Sequence, residues 1–284
     1  MNNLRKWTAG LLLLSMLALA GCGGGKDDQA GPGALSGTVT MSGSTALLPL
    51  ATAAKEMFEE KHTQVTVNVS GGGSFNGLAQ VASGAVNIGN SDVKATGETA
   101  KDLVEFRVAV APFVFIANKD VTVDNLTMEQ ATQILTGAIT NWKEVGGKDA
   151  PITVISRPQS SGSRATIVEK VLKNQADITK NAVVQDSNGK IRDNIATTPG
   201  AIGYVDAAYI QPDKMKVLKL NGVEYTPEAV TGGKWPIYAY EYMYTKGEPT
   251  GVTKALLDFI MSKEFQETAV EETGFIPISK MEEK

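Results

Sequence analysis

One cysteine and one histidine are all that 284 residues contain of either kind, and this scarcity removes several chemistries. Cys22 alone cannot close an intramolecular disulfide. His62 with a single thiol supplies no cluster of nitrogen and sulfur ligands, so no metal site is expected. That histidine stands in Glu59-Glu-Lys-His-Thr63, a polar, solvated stretch ending a helical pattern. A triad built on Ser44, Ser74 or Ser161 therefore lacks its base, and a serine-based hydrolase stays open only as an alternative to a non-enzyme. No Gly-Lys-Ser/Thr follows a glycine cluster, so the Walker phosphate loop is missing. Basic residues number 27 against 31 acidic ones, and a net charge of −4 argues against nucleic acid as a partner. The long apolar run needed to cross a membrane is absent too. The N-terminal stretch Leu11 to Ala20 is about half the length of a membrane span.

That short run has a different meaning. Arg5 and Lys6 precede it and Leu19-Ala-Gly-Cys22 closes it, the layout of an export signal over residues 1–21. Cys22 stands where a bacterial lipobox places the cysteine that becomes lipid-modified, which predicts attachment to the extracytoplasmic face of the cell membrane through a lipid such as palmitate. An ordinary secretory signal with an unrelated cysteine is the competing reading. Residues 22–35 are rich in Gly, Asp and Lys without apolar periodicity and read as a flexible tether. The folded part is expected from Ser36.

The remaining chain alternates strand-like and helix-like patterns, which predicts an α/β protein on a mainly parallel sheet. Three junctions repeat one device. Gly37–Met41 leads through Ser42-Gly-Ser-Thr45 into a helical pattern at Leu47, Ala51, Ala54 and Phe58. Val65–Val69 leads through Ser70-Gly-Gly-Gly-Ser74 into Leu78, Val81 and Ala82. Ile152–Ser156 leads through Arg157-Pro-Gln-Ser-Ser-Gly-Ser-Arg164 into Ile167, Val168, Val171 and Leu172. Small polar residues at a helix N-terminus let an anion approach unpaired backbone N–H groups on the positive end of the macrodipole. Arg157 adds a fork of donors suited to an oxyanion. For any single junction, a serine that merely caps a surface helix is an equally open reading.

The long apolar Phe106–Ala117, interrupted by Pro112, reads as a strand leaving a first lobe, and Trp235–Tyr244 as a strand returning to it, its aromatic ladder serving cross-strand packing. Two α/β lobes joined by two crossing strands follow, lobe I from 36–112 plus 243–284 and lobe II from 113–242. A cleft between them is a natural ligand site.

Gly43-Ser-Thr-Ala-Leu-Leu-Pro49, Gly71-Gly-Gly-Ser74, Ile88-Gly-Asn-Ser-Asp92, Ile139–Gly147, Arg157 with Ser161-Gly-Ser163, and Gly200-Ala-Ile-Gly-Tyr204 occur in this order. The set resembles the phosphate-binding proteins of bacterial ABC-type phosphate importers over roughly residues 37–280. The resemblance implies a type II periplasmic-binding-protein fold and a buried inorganic phosphate held by hydrogen bonds, with no metal or cofactor. Ser44, Thr45 and the backbone of Ala46 would bind from one helix N-terminus and Ser74 from a second. Asp92 would accept the phosphate's proton, Arg157 supply the cation, and Ser161, Gly162 and Ser163 wrap the remaining oxygens. Implied partners are the permease and ATPase subunits of an ABC transporter, with the binding protein a monomer. Two departures stand out: Ser163 where Thr is common, which keeps the hydroxyl, and Phe75 after Ser74, where small residues are frequent. A binding protein for another oxyanion is the alternative that the residues leave open. A further open reading for Asp92 is a helix cap near Thr96 or Thr99.

Overall fold

A computed structural model describes residues 35–281. The expected signal segment 1–21, Cys22 and the tether as far as residue 34 lie outside the described residues. The chain runs β1 (Ser36–Gly43), α1 (Leu48–Lys61), β2 (Gln64–Ser70), α2 (Ser74–Ser83), β3 (Ile88–Ser91) and the long β4 (Leu103–Ala117). Then come β5 (Asn125–Leu126), α3 (Met128–Thr136), β6 (Thr153–Ser156), α4 (Gly162–Lys170), β7 (Val183–Val184), α5 (Asn188–Thr197) and β8 (Ala201–Asp206). The last third holds β9 (Lys216–Val217), β10 (Lys219–Leu220), α6 (Pro227–Thr231), β11 (Tyr238–Lys246), α7 (Gly251–Ile260), α8 (Lys263–Glu267) and α9 (Ala269–Glu272).

Among the described residues the main sheet has the order β2-β1-β3-β11-β4-β8-β6-β7, with β9 also joined to β4. Pairings β1–β2, β1–β3, β6–β7 and β6–β8 are parallel, whereas β11 is antiparallel to both β3 and β4. The fold is α/β, as the alternating patterns predict. Each half has parallel strands whose carboxyl ends turn into helices, and the halves share β4.

Residues Leu103–Pro112 of β4 pair with β11, and Phe113–Ala117 pair with β8. Pro112, expected to interrupt the strand, instead marks the residue where β4 exchanges one neighbour for another. A missing N–H costs least at such a change of partner. The return crossing lies a few residues later than Trp235: β11 begins at Tyr238, and Phe113 N–H donates to Ile237 O (2.9 Å) just before it. Its tyrosines pack across to β4 as expected, Tyr244 OH donating to Glu105 Oε2 (3.0 Å) and the Tyr240 ring lying under Arg107 (4.4 Å to the centroid), and they also pair along β11 itself. Tyr238 packs edge-on to Tyr240, and Tyr242 stacks on Tyr244 (centroids 6.2 and 5.8 Å), pairs two residues apart on the same strand. The predicted C-terminal helix over Glu264–Glu271 breaks at Thr268 into two short ones.

Burial explains the placement of the helices. Leu50, Ala51, Ala54 and Phe58 on α1 are all buried at helical spacing against the sheet. Trp142 and Trp235 are fully covered, and each indole N–H has a carbonyl partner, Gly200 O (2.9 Å) and Phe113 O (3.0 Å). Burying side chains of this kind stabilises by roughly 1.5–3 kcal/mol each. Gly43 closes β1 at a φ of 138°, and a Cβ there would come 2.1 Å from Asn90 O. Only glycine lets the β1–α1 turn lie against β3, which brings Asp92 beside it.

Candidate functional site

Four strand-to-helix junctions, β1 to α1, β2 to α2, β6 to α4 and β7 to α5, meet beside the carboxyl end of β3. Ser44, Thr45, Ala46, Ser74, Asp92, Arg157, Ser161, Gly162 and Ser163 are all buried there, none more than 5 % exposed among those with a polar or charged side chain. These serines are buried and converge on one another, unlike a serine on the solvated end of a surface helix.

Asp92 is the centre of the cluster. Ser74 Oγ donates to Asp92 Oδ1 (3.2 Å) while accepting from Asp92 N–H (3.0 Å), and Ser163 Oγ donates to Asp92 Oδ2 (2.9 Å). The carboxylate therefore caps no helix. The short 3₁₀ turn at Gly97–Ala100 begins with Thr96 and no side-chain cap. Burial raises the Asp92 pKa, and hydrogen bonds from Ser44 and Ser163 together with the Arg157 cation oppose that rise.

Arg157 follows β6 and is 2 % exposed. Its Nη2 donates to Asp186 O (3.0 Å), but Nε and Nη1 are buried without a partner among the described residues. Burial lowers its pKa and the Asp92 charge opposes this; a guanidinium stays protonated regardless. Two buried cationic donors aimed at nothing cost several kcal/mol unless an acceptor joins them. The backbone of Arg157 is pinned by Tyr204, whose hydroxyl accepts its N–H (3.3 Å) and bonds Ser156 Oγ (2.9 Å).

The remaining predicted residues have mixed roles. Ser44 Oγ accepts from the N–H groups of Ala46 (3.0 Å) and Leu47 (3.2 Å), so it satisfies the start of α1. Ser161 is the N-cap of α4, its Oγ accepting from Arg164 N–H (3.2 Å). Gly162 sits where a Cβ would come 2.2 Å from Ser74 Oγ and 2.9 Å from Asp92 Cβ. Its lack of a side chain is what allows α4 to close on α2. His62 caps the far end of α1 against Phe58 (centroids 4.5 Å) and takes no part.

With this geometry in view, comparison with known proteins is informative. Residues 28–264 match the family model of the PBP superfamily domain. The chain is 41 % identical over 281 residues to the phosphate-binding protein PstS of Bacillus subtilis, covering 95 % of this chain and 93 % of that one. The chain belongs to the PstS family. It is 30 % identical over 258 residues to the PstS of Borreliella burgdorferi, with 84 % of this chain and 90 % of that one covered. A crystal structure of a putative phosphate ABC transporter substrate-binding protein with bound phosphate from Clostridium perfringens superposes with a TM-score of 0.80 at 33 % identity, covering 85 % of this chain and all of that one. The fold is thus that of the type II periplasmic binding proteins.

Within this PstS-type frame the structure adds residues that sequence reasoning missed. Asn188, at the start of α5, is fully buried; its Nδ2 donates to Thr45 Oγ1 (3.2 Å) and Ser163 Oγ (3.4 Å), and its Oδ1 accepts from Asp206 N–H (3.1 Å). The signal was present: Val183-Val184, then Ser187, then Ile191 and Ile195 form a fourth strand, small-polar turn and helix. Tyr209 OH donates to Thr45 O, a contact with no local signature. Phe75 leaves the turn undisturbed. Its ring is 46 % exposed and its N–H donates to Ser160 O (3.2 Å).

Proposed function

We propose that this protein is an extracytoplasmic substrate-binding protein that captures inorganic phosphate between two lobes and delivers it to the permease and ATPase subunits of an ABC importer. The observation that carries this reading is the pairing of Arg157, with two buried unpartnered donors, and Asp92, a buried acceptor, in one cluster of hydroxyls. An anion that still carries a proton meets both needs: its oxygens accept from Arg157, Ser161 and the backbone N–H groups at the helix N-termini, and its O–H donates to Asp92, which Ser74 and Ser163 hold in place. Phosphate near neutral pH is such an anion and sulfate is not, so the site's chemistry favours phosphate over fully ionised oxyanions such as sulfate. The names of the relatives agree with this choice.

Pairing of β11 with β4 from Tyr238 onward supports a return crossing near Ile237 instead of the expected 242/243, so lobe I comprises 36–112 with 238–284 and lobe II 113–237, the first crossing lying near Pro112. Hydrogen bonds from Asn188 and Tyr209 to Thr45, and from Phe75 N–H to Ser160 O, would then all run between lobes and describe a closed cleft. The roles of Thr45, Ala46 and Gly162 are to shape that cleft and offer backbone to the ligand. The chain works as a monomer without catalysis or cofactor, held at the membrane by lipid on Cys22 after removal of residues 1–21. Calorimetric titration with phosphate tests the core of the reading. Wild-type protein binds, and Arg157→Ala loses roughly 2–5 kcal/mol of affinity because the anion's main cationic partner is gone. Equal binding by the variant would overturn the assignment of Arg157.

A further inference from the structure

Glu241 is a buried acid that the anion site leaves unexplained. It lies on β11, is fully buried, and neither carboxylate oxygen has a hydrogen-bond partner among the described residues. Register places it. Tyr242 pairs with Ser91 in the antiparallel β11–β3 ladder, so one residue beyond that pair Glu241 comes opposite Asp92. The pairing ends at Tyr242 and Ser91, so Glu241 and Asp92 follow directly on the last rung of the ladder. On the other side, the β4–β11 register slips between Glu241 and Tyr242, and an irregularity of this kind re-aims nearby side chains.

The groups that act on Glu241 are the carboxyls of Asp92, at the end of β3, and Asp206, at the end of β8, with Tyr242 as its titratable neighbour on β11. Ionised, Glu241 would face like charge with no donor to meet it. Asp92 has Ser74, Ser163 and Arg157 in its favour. When two opposed acids share a proton, the one without donors keeps it. Burial accordingly drives the Glu241 carboxyl well above the usual range, and the Asp92 and Asp206 charges push it the same way. These acids are not disposed to hold a metal, since no group of three or more ligating side chains occurs among the described residues.

We propose that Glu241 is the proton-bearing partner of Asp92, a neutral carboxyl behind the anion site whose O–H is donated to the Asp92 carboxylate and holds it ionised as the ligand's acceptor. Glu241 touches no ligand and acts as a positioning residue. The site then carries one negative charge behind the anion instead of two, and the charge stays on the oxygen atoms that the ligand's proton meets. This inference rests on the phosphate reading for its functional consequence but not for the protonation state itself.

Wild type, Glu241→Gln and Glu241→Leu separate the possibilities. Glutamine keeps a donor for Asp92; leucine keeps the volume and removes the donor without leaving a buried polar group. Infrared difference spectra of ligand-free protein at neutral pH are expected to show a protonated-carboxyl C=O band that Glu241→Gln lacks. Competition calorimetry of phosphate against sulfate is then followed from neutral to mildly acidic pH, where sulfate does not titrate. In Glu241→Leu, Asp92 takes up its own proton at higher pH, so the preference for phosphate falls about tenfold or more at the acidic end, a shift of about one pH unit or more in the profile. Glu241→Gln restores the wild-type profile. An infrared band unchanged by Glu241→Gln, a wild-type profile in Glu241→Leu, or no rescue by Gln overturns the proposal. Failure of wild-type protein to bind phosphate would overturn the phosphate reading, and the infrared result would still decide the state of Glu241.

Discussion

Asp92 puts an acceptor where an anion site is expected to hold only donors, and the geometry shows how this is tolerated. Both carboxylate oxygens already accept, from Ser74 and Ser163, and each has a further lone-pair site free for a ligand's O–H. A fully ionised sulfate would face the same carboxylate with nothing to give, and sites built to pair a donor reject analogues that lack it by about 10⁴-fold or more. Asp92→Asn is therefore expected to keep much of the phosphate affinity, since the amide can present its oxygen. It should lose much of the preference over sulfate, because the amide can also donate. Competition calorimetry of both anions at neutral pH measures this, and a mutant that excludes sulfate as strongly as wild type would remove Asp92 as the selectivity element. At this scale the sequence singled out most of the residues that the structure buries together in this cluster. Small polar residues after strands signal exposed helix N-termini whatever the rest of the fold does. Asn188 escaped because its strand is two residues long, too short for the alternation that marked the other three junctions.

Helix α4 and strand β11 carry the predictions at the scale of elements. The N-terminus of α4 approaches α2 so closely that any Cβ at position 162 would collide with Ser74. Gly162→Ala is expected to hold the cleft open: wild-type protein compacts in solution scattering when phosphate is added, and the variant keeps its larger radius of gyration and binds weakly. Compaction of the variant equal to wild type would show that the lobes close without this contact. On β11 and β8, burial raises the carboxyl pKa values of Glu241 and Asp206 well above their ordinary 4.5 and 3.8. The folded state therefore keeps protons that the unfolded chain has released. Stability is greatest at and below the unfolded values and declines as pH rises towards the folded ones. Ligand-free protein should melt at progressively lower temperature as pH rises above the ordinary carboxylate range, with the slope reduced in Glu241→Gln. A slope unchanged by the substitution would show that Glu241 does not titrate differently in the two states. None of this was visible in the pattern of Trp235–Tyr244. A lone Glu among aromatics reads as the solvent face of a strand until the sheet is found to be covered on both sides.

At the scale of the whole molecule, the shared strand β4, paired with β11 through Pro112 and with β8 from Phe113, makes the two halves one sheet. The described residues contain no helix long and apolar enough to cross a membrane. Cys22→Ser is expected to move the protein from the membrane fraction to the soluble exported fraction, since two acyl chains hold a protein at a bilayer where one is marginal. Retention of the variant in the membrane fraction would show a different anchor.

The sequence by itself determined the α/β class and three of the four junctions, and it singled out Arg157 and Asp92 as candidates for an anion site. Periodicity, turn residues and helix N-terminal composition are local properties, readable wherever the segment stands. Tertiary structure alone decided which residues face one another across the cleft. Asn188 and Tyr209 reach Thr45 over more than a hundred residues, Gly162 is required by its distance to Ser74, and Glu241 meets Asp92 only because β11 inserts between β3 and β4. The physical reason is that charge and donor requirements of a buried group depend on its neighbours in space, and an antiparallel strand brings its neighbours from the far end of the chain.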